Sequence, residues 1–196
     1  MRTLGVFLFE TKIKIFENVL QDEPKEIDIN PANFLEKLGA EVLRKFEGVF
    51  EKSEIVYVPT PGWDCISHED FHIDVFPYRS GFTEDYLIKT LRRKNENRQY
   101  YRILGVYPGT IWFKTNYDLV PHINGTSESD IAIISLQTIF ENDNDKLLND
   151  SSNVVSHELG HTFGLSHHGD CVMSQGNKKP LFCHKCLIKL HKIADS

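Results

Sequence analysis

The stretch HELGHTFGLSH, which runs from His157 to His167, constrains this chain more than any other part of its sequence. On a helix, His157 and His161 share one face with Cβ atoms about 5–6 Å apart, so both rings can reach one metal ion. Gly164 can adopt a positive φ, which allows the helix to end and the chain to turn back. The sequence therefore predicts a helix that ends near residue 163 and a third metal ligand at His167.

The three histidines predict a catalytic zinc site rather than a structural one. Three protein ligands leave the fourth position of a tetrahedral zinc ion open to water, and zinc lowers the pKa of that water toward about 7. Glu158 directly follows the first histidine and is placed to take the proton of this water during attack on a peptide carbonyl. We therefore expect His157, His161 and His167 to bind the metal and Glu158 to act as general base.

The short pattern HExxH occurs a second time, at residues 68–72. This copy lies between Pro61-Gly62 and Pro77, lacks an apolar helical stripe and has no glycine and histidine after it. Since the two histidines of such a motif face one ion only on a helix, we interpret residues 68–72 as a loop and not as a metal site.

A second group of potential metal ligands follows the first. It consists of His168, Cys171, Cys183 and Cys186. Sulfur and imidazole ligands at these spacings are typical of a closed tetrahedral zinc site, which would stabilise a tail that has little core of its own. His184 or His191 could replace His168 as the fourth ligand, and the cysteines could instead be a redox CxxC or thiols that only pack.

The rest of the chain alternates strand-like and helix-like segments without a linker or a repeat. We expect strands at 4–9, 12–16, 55–58, 71–76, 102–107, 110–114 and 130–136, and helices from Pro31, at 83–94 and at 144–163. Segments 102–107 and 110–114 are predicted to form a hairpin around Pro108-Gly109. The pattern indicates one α/β domain over residues 1–196, with an upper part at about 1–163 and a lower part at about 164–196.

Charge and hydropathy limit the expected partners. The net charge is −6, with 22 basic and 28 acidic side chains, which gives no reason to expect nucleic acid or an anionic membrane as a partner. The apolar run 4–9 is interrupted by charged residues before any cleavage site, so we interpret it as a core strand and not as a signal peptide. We expect a soluble, cytoplasmic protein and a monomer.

The two motifs together resemble the archaemetzincin family, whose pattern is HExxHxxGxxHC, four residues, CxM, about seventeen residues and CxxC. The residues that fall on this pattern are His157, Glu158, His161, Gly164, His167, Cys171, Met173, Cys183 and Cys186. The chain departs from the family at His168, where the family has cysteine, and in the shorter spacings around Cys171 and Cys183.

This resemblance implies a metzincin fold, with a twisted, mostly parallel sheet, an active-site helix and a small zinc-pinned C-terminal part. It also implies two zinc ions, one catalytic and one structural, and places Met173 beneath the catalytic ion. By the same resemblance, a strand forms the upper rim of the cleft and pairs with an extended substrate. We expect this strand to consist of Ile131, Ala132, Ile133, Ile134 and Ser135.

The sequence thus predicts a zinc-dependent metallopeptidase that acts on peptide or protein substrates. The alternative is a non-catalytic, zinc-stabilised protein that binds peptides or serves as a scaffold. A gluzincin peptidase would take an acidic third ligand from further along the chain, and no residue there fits better than His167.

Overall fold

The structure is a computed structural model that describes residues 1–9, 13–16, 26–58, 71–74, 79–97, 99–114, 119–121, 124–139, 143–169, 171–175 and 179–196. The helices are α1 (Pro31–Lys45), α2 (Glu84–Lys94), α3 (Asn144–Thr162) and α4 (His184–Ala194). The strands are β1 (Thr3–Phe9), β2 (Ile13–Phe16), β3 (Glu26–Ile29), β4 (Lys52–Val58), β5 (Phe71–Asp74), β6 (Arg79–Phe82), β7 (Arg102–Tyr107), β8 (Trp112–Lys114), β9 (Leu119–Pro121), β10 (Gly125–Glu128) and β11 (Ile131–Ser135).

A five-stranded, mostly parallel sheet forms the centre of the fold, with strand order β10-β11-β7-β1-β4. β1 is parallel to β4 and β7, β7 is parallel to β11, and only β10 runs antiparallel to its neighbour. Every residue of β1 is buried, as is usual for a central parallel strand that is covered on both faces. The predicted α/β class with a mostly parallel sheet is confirmed.

Helices cover both faces of this sheet because successive side chains of each strand point to opposite sides. On one face, Val6 and Leu8 belong to an apolar cluster that includes residues of α1, α3 and α4. On the other face, Phe7 and Phe9 belong to a cluster that includes residues of α2. The active-site helix therefore lies on one defined face of the sheet.

Helix α1 begins as predicted and packs against α3. The side chain of Asn30 accepts a hydrogen bond from the backbone N–H of Asn33, and Pro31 occupies the first turn. The buried Nζ of Lys45, at the other end of α1, donates to Ser152 Oγ at 2.9 Å and to Asn153 Oδ1 at 2.6 Å. Burial lowers the pKa of Lys45 to about 8. These bonds fix α1 to the middle of the active-site helix.

Helix α3 ends where the motif predicts. Its last residue is Thr162, and Gly164 adopts a φ of 68°. The backbone N–H of Leu165 donates to Gly160 O at 3.1 Å, which closes the turn after the helix. A side chain on Gly160 would clash with Met173, so this glycine lets the following segment pack directly on the helix.

The one strand pairing that the sequence predicted is wrong, although both strands exist. The predicted hairpin of 102–107 with 110–114 does not form, because β7 lies between β1 and β11, and β8 pairs with β9. Strands β3, β6, β9 and β10 and helix α4 were not predicted. Of the second HExxH copy, residues 71 and 72 belong to strand β5, while 68–70 lie outside the described residues.

None of the helices in the described part of the chain has the length and apolar character needed to cross a bilayer.

We predict that Gly160→Ala destabilises the fold. The added methyl group would collide with Met173, which is fully buried, and displacing it should cost about 1–3 kcal/mol, or roughly 2–10 °C in Tm. Thermal unfolding of the apoprotein measures this effect. Gly169→Ala is the matched control, because no atom lies within 4 Å of its added methyl group. Equal Tm values for the two variants would contradict the packing of Met173 on α3.

Candidate active site

Three imidazole rings meet at one point beside helix α3. The Nε2 atoms of His157 and His161 are 3.1 Å apart, and each lies 3.0 Å from Nε2 of His167. His157 and His161 project from one face of α3, and His167 reaches them after the turn at Gly164. His167 is exposed, so the point where the rings meet is open to solvent.

Backbone carbonyls determine which nitrogen of two of these rings carries the proton. Nδ1 of His157 lies 2.8 Å from Val172 O, and Nδ1 of His161 lies 2.8 Å from Leu165 O. A carbonyl oxygen only accepts hydrogen bonds, so Nδ1 carries the proton in both rings and each Nε2 presents a lone pair. Lone pairs that face each other at about 3 Å repel unless a cation lies between them.

The donor set fits a zinc ion. Nitrogen ligands at about 2.0–2.1 Å from a tetrahedral zinc ion lie about 3.3 Å apart, close to the separations observed here. Burial lowers the pKa of both His157 and His161, which favours the neutral rings that bind metals. These three histidines are thus a candidate zinc site with room for a non-protein ligand on its open side.

Glu158 lies beside this site, between α3 and strand β10. Its side chain accepts a hydrogen bond from the Ser127 hydroxyl, and burial raises its pKa to about 7. A Cβ on Gly125 would lie 3.0 Å from Glu158 Cγ, so the side chain passes close to the backbone of the strand. Strand β10 therefore fixes the side chain of Glu158, the residue that follows His157 on α3.

The second group of predicted ligands also converges. Nε2 of His168 lies 3.2 Å from Sγ of Cys171 and 3.3 Å from the Sγ atoms of Cys183 and Cys186. Nδ1 of His168 donates to Ser166 O at 2.9 Å, which leaves the Nε2 lone pair facing the three sulfurs. Cys171 and Cys186 have Sγ atoms 3.9 Å apart, far beyond the roughly 2.05 Å of a disulfide.

Met173 packs against the helix that carries His157 and His161. It is fully buried, and its backbone N–H points to Cys171 Sγ at 3.4 Å. Its side chain closely approaches Gly160, in the last turns of α3. A role for Met173 beneath a catalytic ion stays a prediction.

The cleft rim predicted at residues 131–135 is wrong. These five residues form β11, which pairs with β7 on one side and with β10 on the other, and all are buried. A strand with both edges occupied has no free backbone groups for a substrate. The edge strand on this side of the sheet is β10, and no other strand in the described ranges pairs with its outer edge. Its short polar sequence, GTSE, gave no strand signal.

Comparisons with known proteins agree with this geometry. The sequence model of peptidase family M54 matches residues 84–192, which include both ligand groups. No match was found among curated protein sequences.

Similar solved structures have the same fold at low sequence identity. Archaemetzincin from Methanopyrus kandleri is 19% identical, with a TM-score of 0.65 over 100% of this chain and 96% of that one. A zinc-dependent peptidase from Methanocorpusculum labreanum (18%, TM-score 0.58) and archaemetzincin from Archaeoglobus fulgidus in complex with malonate (17%, TM-score 0.57) each match 95% of this chain and 99% of their own.

The family match covers more than half of the chain, and the fold and the converging histidines agree with it. The chain therefore belongs to peptidase family M54, the archaemetzincins, and is a zinc metallopeptidase.

Proposed function

We propose that this protein hydrolyses peptide bonds with a water molecule held by zinc on His157, His161 and His167, and that Glu158 is the general base. One observation carries this proposal: three Nε2 atoms, two of them with lone pairs fixed by carbonyl partners, converge at 3.0–3.1 Å next to a helix whose Glu158 carboxylate is held by the neighbouring strand. Zinc, when bound, activates the water and polarises the carbonyl of the scissile bond.

The role of Glu158 follows from its surroundings. Its carboxylate takes a proton from the attacking water and then gives it to the leaving amine. A pKa raised to about 7 suits both steps, because the group can accept and release a proton near neutral pH. The Ser127 hydroxyl occupies one acceptor site of the carboxylate and leaves the other oxygen for the water.

We place the substrate on β10 instead of β11. An extended peptide would add antiparallel to the outer edge of β10, whose N–H and C=O groups face away from β11. Main-chain pairing of this kind favours peptides regardless of their side chains. Because Ser127 belongs to the same strand, the strand that orients the substrate also orients the general base.

We assign a second zinc ion to His168, Cys171, Cys183 and Cys186. The four ligand atoms lie within 4.8 Å of one another, and His168 faces the three sulfurs directly. His191 is a poorer fourth ligand, because its ring lies next to Gly48, on the connection after α1. A closed site of this type has no open position for water or substrate, and it stabilises the fold.

Glu158→Gln should abolish most of the activity without loss of metal. The amide cannot accept the proton of the water, so kcat should fall by about 10²–10⁴-fold while the zinc content stays the same. Peptide turnover and elemental analysis of the same preparation provide the two measurements. Glu36→Gln, an exposed site on α1, makes the same chemical change away from the cleft and should leave both unchanged. Full activity of Glu158→Gln would rule out its role as base.

Ser127→Ala should lower kcat by about tenfold with little change in KM. The hydroxyl positions the base, and a hydrogen bond to a charged group contributes about 1.5–3 kcal/mol. Ser127→Thr keeps the hydroxyl group and should restore most of the rate. If the alanine and threonine variants are equally slow, the effect does not come from the hydrogen bond.

Elemental analysis should find two zinc ions per chain. Replacing Cys183 and Cys186 together by alanine leaves the second group with only two ligands, so one zinc ion should remain at saturating metal. Replacing His157 and His161 together should remove the other ion. A wild-type protein that binds a single zinc ion would contradict the assignment of the second site.

A further inference from the structure

We propose that the second ligand group, His168, Cys171, Cys183 and Cys186, positions the catalytic histidine His157 through the backbone carbonyl of Val172. The inference rests on the proposed function. It adds that the two sites are coupled, so that the metal affinity of the histidine site depends on whether an ion holds the four side chains of the second group together.

The contact between the two sites is direct. Nδ1 of His157 donates to Val172 O at 2.8 Å, and Val172 lies between Cys171, a ligand of the second group, and Met173. The orientation of the His157 ring therefore depends on Val172, and the residue directly before Val172 is a ligand of the second group. His167 and His168 are adjacent in sequence, so a single peptide bond also joins the two ligand groups.

The turn that carries Val172 is held from two directions. Its own backbone closes it, because His168 N–H donates to Met173 O at 3.2 Å and Ser174 N–H donates to Cys171 O at 2.9 Å. The chain near α4 holds it as well, since Val172 N–H donates to Leu181 O at 2.9 Å. The side chains of the second group connect the same parts of the chain. His168 and Cys171 belong to the turn, and Cys183 and Cys186 follow shortly after Leu181.

Metal binding by the second group determines whether these parts of the chain are held together. The three sulfurs and the imidazole nitrogen lie within 4.8 Å of one another, and a bound ion would hold them there. Without an ion, no bond would join these side chains, and His168, which is exposed, would be free to move away. The carbonyl of Val172 would then lose its fixed distance to His157.

His161 provides an internal comparison. Its Nδ1 bonds to Leu165 O at 2.8 Å, and Leu165 belongs to the tight turn at the end of α3. That turn is closed by Gly160 and Gly164 and includes no ligand of the second group. Opening the second group should therefore loosen His157 and leave His161 in place.

Loss of such a supporting hydrogen bond has a known scale. Partners of the second ring nitrogen fix the tautomer and orientation of a ligand, and their removal typically weakens metal binding by about 10–100-fold. We expect a loss of this size at the histidine site when the second group is opened.

The test uses the full chain with Co²⁺ as the probe, because cobalt reports on each site separately. Thiolate ligands give charge-transfer absorption, while a site of three histidines and water gives only d–d bands. The double variant Cys183→Ala/Cys186→Ala should lack the charge-transfer bands, show altered d–d bands and bind Co²⁺ at the histidine site about 10–100-fold more weakly than wild type. Wild-type affinity and unchanged d–d bands in the folded variant would overturn the proposal.

Leu91→Ala is a control for general loss of stability. Leu91 is fully buried on α2, in the apolar cluster on the opposite face of the sheet. This variant should unfold at a lower temperature and keep the wild-type affinity of the histidine site. Equal weakening in Leu91→Ala and in the cysteine variant would show that the effect is not specific to the second group, and the proposal would fail.

A measurement on unmutated protein covers the case in which the cysteine variant does not fold. An organomercurial forms mercury–sulfur bonds with the thiolates of folded wild-type protein and displaces the ion from the second group. The Co²⁺ affinity of the histidine site should fall by the same factor, with folding followed by circular dichroism. Unchanged affinity after complete mercuration overturns the coupling. Absence of Co²⁺ from the histidine site of untreated protein would instead refute the proposed function.

Discussion

The convergence of three imidazole rings on one point dominates the local energetics of this structure. Two hydrogen bonds to carbonyl groups keep the proton on Nδ1 of His157 and His161, so their Nε2 lone pairs face the third ring at about 3 Å. Such an arrangement is unfavourable without a cation and favourable with one. The free energy of metal binding therefore also stabilises the local fold around His157, His161 and His167.

The part of the central sheet that the proposed mechanism uses is its antiparallel edge strand, β10. Strand β10 is short and polar, and it lies against α3 at the level of Glu158. Its Ser127 hydroxyl bonds to the carboxylate, and no other described strand pairs with its outer edge. In the proposed mechanism, one strand therefore orients both the general base and the substrate, which links the position of the scissile bond to the position of the base.

The C-terminal part of the chain shows how a small segment can be fixed beneath a cleft. Cys186 and Leu190 of α4 join the core, whereas Leu181 and Ile188 in the same part of the chain are exposed. A tetrahedral metal site can add to the stability of this segment, because its binding free energy is also folding free energy. The same segment holds Met173 below α3 and Val172 next to His157, so its stability bears on the catalytic histidines.

Features that depend on near neighbours could be predicted from the order of the residues. The spacing of His157, Glu158, His161, Gly164 and His167 predicted the helix, its end and the meeting of the rings, because helix periodicity and a glycine turn act over a few residues. The strand order could not be predicted in this way, and the fold places β11 inside the sheet and β10 at its edge. Strand neighbours are chosen by contacts between residues far apart in the chain, and a four-residue polar strand such as GTSE becomes a strand only because α3 and β11 pack beside it.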